Sequence, residues 1–330
     1  MRNKFCRTGR INRRSQLYYP ATTTVGGEGE MKRLCTMRIA VWTLILSLCL
    51  PAGFANAEYS ARERINMTDK MNRDKIIKND YDEEGNFYDS TGHQIRKSTI
   101  RNLLQVALQP VGKTLYIWGG GWFTPESTTI GVSKAWEKFF KKQNANYDYR
   151  NYRYQRKKGL DCSGFVGWVL YNTFNTESGH GSFVMLAETM AYTYARWGWG
   201  EYKSPAKVKD HMAGDIMSLP AGHVYIVIGE CSDGSVVLVH SSPKGVMING
   251  TPSRKGKTKS KAWKLAKKYM KKYYKAWYKK YPDVTRGYSY LTSYSRMRWS
   301  IGEETSVLSD PEGLRNMSAD KVLKVIFGEA

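Results

Sequence analysis

Apolar positions are spread unevenly along the chain, and their spacing predicts its elements one stretch at a time. Near the front they form a block. Lys32, Arg33 and Arg38 precede a twelve-residue apolar region, 39–50, which is followed by Pro51, Gly53 and the tripeptide Ala55-Asn56-Ala57. A basic flank, an apolar run too short for a stable span and an A-x-A site make up a secretory signal peptide, 31–57, with cleavage expected after Ala57. Leu48 stands before Cys49 where a lipoprotein needs a small residue, so lipidation is not expected. Residues 1–30 are basic and end in Gly26-Gly27-Glu28-Gly29-Glu30, whose codons begin GG or GA. We read 1–30 as an upstream extension containing a translated ribosome-binding site, with Met31 as the true start.

Beyond 57 the pattern changes. Residues 58–97 are polar and turn-rich, and they read as a loosely packed arm. Ser98 is then expected to cap a helix over 99–108 whose Leu103, Leu104 and Ala107 share a face, stopped by Pro110 and Gly112. A short hydrophobic run, Leu115 to Trp118, leads into Gly119-Gly120-Gly121, followed by a polar and aromatic insertion, 122–158. Residues 159–164 open a second helix that places Phe165, Val166, Val169 and Leu170 inward, and 185–197 reads as a third. Alternation with β-branched residues over 222–230 and 235–240, about Cys231-Ser232-Asp233-Gly234, predicts a β-hairpin. Residues 286–300 offer one or two closing strands, and no tandem repeat of 20–50 residues is present.

Between hairpin and closing strands lies 254–280, with thirteen Lys/Arg and no acid. Trp263, Ala266, Met270, Tyr273, Tyr274 and Trp277 recur three or four apart, so a helix there has one aromatic face and one lysine face. The preferred reading packs the aromatics on the domain and leaves the lysines solvated. The sharper one makes the segment a foot on anionic wall polymer or lipid.

Composition narrows the class. Hydrophobic content of 41% and charged content of 25% over 330 residues are globular values. The formal charge is +23; removing 1–57 leaves 43 basic and 27 acidic residues, or +16. That charge suits an anionic partner, and nucleic acid is a poor one for an exported chain. The same cleavage removes three of five cysteines, leaving Cys162 and Cys231, too few for a disulfide scaffold.

Cys162 is the candidate nucleophile. It sits at a predicted helix start, where free amides and the helix dipole favour thiolate. Its partners are His223 and His240, which are 61 and 78 residues downstream and reach it only by folding. In the hairpin, a turn centred between Cys231 and Ser232 pairs His223 with His240 directly. One centred between Ser232 and Asp233 makes them diagonal neighbours on one face. A turn centred on a single residue puts them on opposite faces. Cys231 reads as a small buried residue, and His93, His180 and His211 as surface residues without a motif.

Tyr116-Ile117-Trp118-Gly119-Gly120, Asp161-Cys162-Ser163-Gly164-Phe165-Val166, Gly214-Asp215-Ile216, Gly222-His223-Val224 with Ile228-Gly229, and His240 resemble, in order, the motifs of the NlpC/P60 family of cell-wall cysteine peptidases. The resemblance covers roughly 98–300, with insertions at 122–158 and 250–285, and leaves 301–330 as a C-terminal tail or helix. It implies an α+β, papain-like core in which a helix bearing the Cys packs on an antiparallel sheet bearing the His. It implies a thiol protease that cleaves the γ-D-glutamyl bond to a diamino acid in peptidoglycan stem peptides. By the family's pattern Cys162 is nucleophile, His223 base and His240 the residue that orients it. Tyr116, Asp161 and Ser163 match substrate-binding positions. No cofactor is expected, and no H-x-x-H or C-x-x-C spacing suggests a metal. The alternatives are a CHAP-like N-acetylmuramoyl-L-alanine amidase and a non-catalytic cationic protein binding wall or lipid.

Overall fold

The computed structural model describes residues 87–88, 94–95, 98–122, 130–174, 183–303 and 306–329. The upstream extension, the signal peptide, His93, His180 and all of the arm except the short pairing β1 (Phe87–Tyr88) with β2 (Gln94–Ile95) lie outside the described residues.

The fold is mixed α+β, built on an antiparallel-rich sheet of eight strands. In chain order these are β4 (Leu115–Tyr116), β5 (Gly159–Leu160), β6 (Gly200–Lys203), β7 (Ile216–Leu219), β8 (His223–Glu230), β9 (Val236–Ser242), β10 (Gly245–Gly250) and β11 (Ser295–Trp299). Their spatial order is β5-β4-β10-β9-β8-β7-β11-β6, and only β4 and β5 run parallel. The expected hairpin is β8–β9, and of the closing strands expected over 286–300 one forms, β11, lying between β7 and the edge strand β6.

Helices cover one face. α1 (Ile100–Leu108) packs on α3 (Cys162–Phe174), which lies against β8 and β9. In α3 every residue but Asn172 is buried, as expected of a helix apolar all round and central to a core. A smaller cluster on the other face contains Tyr225, Val227, Leu238 and Tyr294. It is covered in part by Tyr290 and Leu291 of the one-turn helix Ser289–Thr292.

Several boundaries differ from expectation. Thr99, not Ser98, caps α1: its Oγ1 accepts from the Asn102 N–H at 3.0 Å, while Ser98 pairs as β3 (Ser98–Thr99) with β12 (Leu308–Ser309). The third helix, α4, is only Met190–Arg196, because Met185 and Ala187 are buried in a non-helical strap before it. The lysine-rich segment forms two helices, α5 (Lys261–Tyr273) and α6 (Lys275–Lys280), broken at Tyr274. Ala266, Met270 and Trp277 of the expected face are buried, together with Tyr269, whereas Trp263 and Tyr274 are half-buried and Tyr273 is exposed; nearly every lysine is exposed, as in the solvated-face arrangement.

The two insertions meet. The first contains α2 (Lys134–Lys142), whose Trp136, Phe139 and Phe140 are buried. Phe140 stacks on Trp277 at 5.1 Å, and the Lys280 ammonium donates to the Phe140 and Gln143 carbonyls at the end of α2. A cation there complements the negative end of the helix dipole. The last helix, Ala319–Phe327, lies against β8 with Ala319, Val322 and Leu323 in the main core.

Candidate active site

The site begins with glycine. A Cβ at Gly164, in the first turn of α3, would stand 2.0 Å from the Gly120 carbonyl, and one at Gly120 would stand 2.3 Å from the Gly159 carbonyl. The Gly119-Gly120-Gly121 loop therefore packs backbone to backbone on the start of α3, an approach only glycine permits. Asp161 locks the junction. Its Oδ1 accepts from the Gly164 N–H at 2.7 Å and the Ser163 hydroxyl at 2.9 Å, its Oδ2 from the Gly119 N–H at 3.1 Å. That is an N-cap for α3 joined to a clamp on the glycine loop. The Trp122 indole N–H donates to Ser163 Oγ at 2.9 Å. Tyr116 lies beside the junction, edge-on to Tyr149. Asp161 and Ser163 thus spend their polar atoms on local structure, and Cys162 is fixed between them.

Cys162 Sγ donates to the Gly222 carbonyl at 3.9 Å, and the backbone amide of Val224 favours its thiolate. The thiol is therefore held against the backbone on both sides of His223. Burial, then the charge of Asp161, pushes the thiol well above its ordinary value; the amides of Val224, Ser163 and Cys162 itself oppose this and lose. The expectation that the helix start favours thiolate is overridden here by desolvation.

The hairpin resolves the question of the histidines. Near the turn, Glu230 pairs with Val236 and Gly229 with Val237, so the turn is centred on Asp233, the arrangement that separates the two histidines. A one-residue bulge at Ile228 then shifts the register, and Val227 pairs with Leu238 and Ile226 with Val239. Beyond the bulge His223 and His240 are diagonal neighbours on one face. His223 Nε2 lies 2.7 Å from His240 Nδ1. Burial and then the Arg286 charge pull His223 down to about 3 and His240 well below its usual range, so both rings are neutral near pH 7.

Two partners of His240 had no signal in the sequence. The Arg286 Nε–H donates to His240 Nε2 at 2.9 Å, and Asn249 Oδ1 lies 3.0 Å from the same nitrogen. Arg286 is 46 residues from His240, in a stretch expected to be a closing strand but lying before β11, and Asn249 faces it only through the β9–β10 register, Asn249 pairing with Leu238 and Met247 with His240.

The remaining candidates fall outside this constellation. Cys231 is a buried thiol in the turn, pushed up to about 12 by burial. His211 is a correction: it is buried rather than on the surface, with its backbone N–H donating to Glu230 Oε2 at 2.9 Å. Asp215, within the Gly-Asp-Ile motif, is buried and receives Arg298 at 2.7 and 2.9 Å, so the motif anchors β7 to β11. Among the described residues no group of three or more His, Cys, Asp or Glu is placed to hold a metal ion, and no helix is long and apolar enough to cross a membrane. Compared with protein-family models, curated proteins and solved structures, the chain matches none.

Proposed function

We propose that this chain is a secreted cysteine endopeptidase of peptidoglycan, built on a papain-like core of the NlpC/P60 kind and exported by its signal peptide. The observation that carries the reading is the placement of a helix-start cysteine against the backbone beside His223, whose Nε2 meets His240. A structural cysteine needs no such partners.

The chemistry follows from that placement. His223 Nε2 is engaged by His240, so Nδ1 is the ring nitrogen left for the thiol. The resting thiol is neutral, so His223 takes its proton as sulfur adds to the γ-carbonyl. The amides at the start of α3 stabilise the oxyanion. Imidazolium His223 next protonates the leaving amine of the diamino acid, and neutral His223 finally activates the water that releases the acyl group. His240 sets the ring orientation of His223. The exposed lysines of 254–280 suit contact with anionic wall polymer or lipid, screened by salt.

Defined muropeptides treated with the purified full chain and with its Cys162→Ala variant test this reading, with products read by mass spectrometry. A Cys162-dependent product with a freed diamino-acid amine is expected. A Cys162-dependent cut between muramic acid and L-Ala would make it an amidase. No Cys162-dependent product from any wall type would end the enzymatic reading.

A further inference from the structure

One nitrogen, His240 Nε2, faces two partners with opposite demands. Arg286 Nε–H, at 2.9 Å, can only donate, so it requires a lone pair there. Asn249 Oδ1, at 3.0 Å, can only accept, so it requires a proton there. A neutral imidazole satisfies one of them. The guanidinium keeps its proton at any ordinary pH and is held from several sides: Nη2 donates to Ser242 Oγ at 2.8 Å, and Nη1 to the Thr285 carbonyl. Asn249, by contrast, has an amide nitrogen that is buried without a partner, so its side chain is free to turn its NH2 toward the ring.

We propose that Arg286 is a positioning residue that sets the proton order of the histidine pair, and sets it against base catalysis. Donation from Arg286 makes His240 Nε2 an acceptor and puts the His240 proton on Nδ1. That proton then points at His223 Nε2, 2.7 Å away, which becomes an acceptor in turn. Neutral His223 therefore carries its own proton on Nδ1, the nitrogen left for Cys162, and cannot take the thiol proton. The contact of Cys162 Sγ with the Gly222 carbonyl agrees, because the thiol hydrogen is directed to the backbone.

The reverse order is built into the same side chains. If Arg286 withdraws, His240 Nε2–H donates to Asn249 Oδ1 and His240 Nδ1 accepts from His223 Nε2–H. His223 Nδ1 is then a lone pair able to receive the thiol proton. No proton is gained or lost; each ring moves one between its two nitrogens. Arg286 borders an open pocket of about 430 Å³ that it shares with Lys244, Lys280, Asp283 and Tyr290. The guanidinium thus has somewhere to go. The other groups facing the pair are the rings of Tyr290 and Tyr294, both held protonated by burial, so Arg286 is the charge that governs it.

The proton order stands on hydrogen-bond geometry, and only its catalytic meaning rests on the hydrolase reading above. Long-range ¹H–¹⁵N correlation on the ¹⁵N-histidine-labelled full chain at pH 7 reads it directly. The expected spectrum has Nδ1 protonated and Nε2 bare on both His223 and His240. A proton on His240 Nε2 in the unmodified chain overturns the proposal, and this needs no variant to fold. In Arg286→Met both protons should move to Nε2, and alkylation of Cys162 by iodoacetamide at pH 7 should quicken by about threefold for each unit the thiol pKa falls, the roughly tenfold gain in thiolate being partly offset by its lower nucleophilicity. Arg286→Lys, which keeps a donor, should retain the original order. An arginine with only a packing role would leave the tautomers of a folded Arg286→Met unchanged, which also overturns the proposal. If the tautomers are as expected and no muropeptide is cut, the hydrolase reading fails and the proton order stands.

Discussion

His223 and His240 are neutral in the folded chain at pH values where free histidine is charged, and that has a measurable consequence. Their folded pKa values lie below the free value near 6.5, His223 at about 3. Between pH 6.5 and 3 the unfolded chain binds more protons than the folded one, so stability is full above this window and falls as pH drops through it. Urea denaturation between pH 7 and pH 4 should show this decline, with a shallower slope in His223→Gln. An equal slope in the variant would mean that other groups govern acid unfolding. At this scale much of the site was legible. Cys162, His223 and His240 stand in flanking sequences that mark them out. Arg286 and Asn249 stand in none, because an arginine in a tyrosine-rich loop has no local sign of where its guanidinium points.

At the scale of elements, the start of α3 depends on closeness. The Gly164 Cβ position is 2.0 Å from a backbone oxygen, which cannot move aside as a side-chain end does. Gly164→Ala should therefore cost about 1–3 kcal/mol by overpacking, and the strain should loosen the Asp161 cap. Thermal melts of Gly164→Ala against Gly287→Ala, whose added methyl carbon would meet its nearest atom at 3.6 Å, would check this; equal melting temperatures would refute it. The hairpin was legible from alternation and turn residues, but its register was not. A single bulged residue, Ile228, decides which face each histidine takes, and alternation reads the same on either side of it. The site exists because the bulge corrects a turn centred on Asp233.

Across the whole molecule, the two insertions form one structural annex. Trp277 is fully buried, stacks on Phe140 and lies beside Lys280, which ties to the end of α2. Trp277→Ala should cost about 3–5 kcal/mol. Amide protection should fall in both α2 and α5, with β8 and β9 keeping theirs. Hydrogen exchange followed by mass spectrometry separates the cases: protection retained in α2 would mean the insertions are independent. The aromatic spacing of 254–280 foretold the burial of Met270 and Trp277, but Tyr273 is exposed and Trp263 and Tyr274 are only half-buried. It carried no information on what would bury Trp277, since the partner lies more than a hundred residues earlier.

Periodicity, capping chemistry and glycine placement act over a few residues, so the chain's own pattern sufficed for the helix that carries Cys162, the hairpin that carries the histidines and the lysine face turned to solvent. The meeting of Cys162 with the backbone around His223, the bulge that aligns the histidines, the hold of Arg286 on His240 and the joining of the insertions link positions far apart in the chain. Such contacts are selected by packing of the whole core and by burial of charges that must find partners, and neither is encoded in any short stretch.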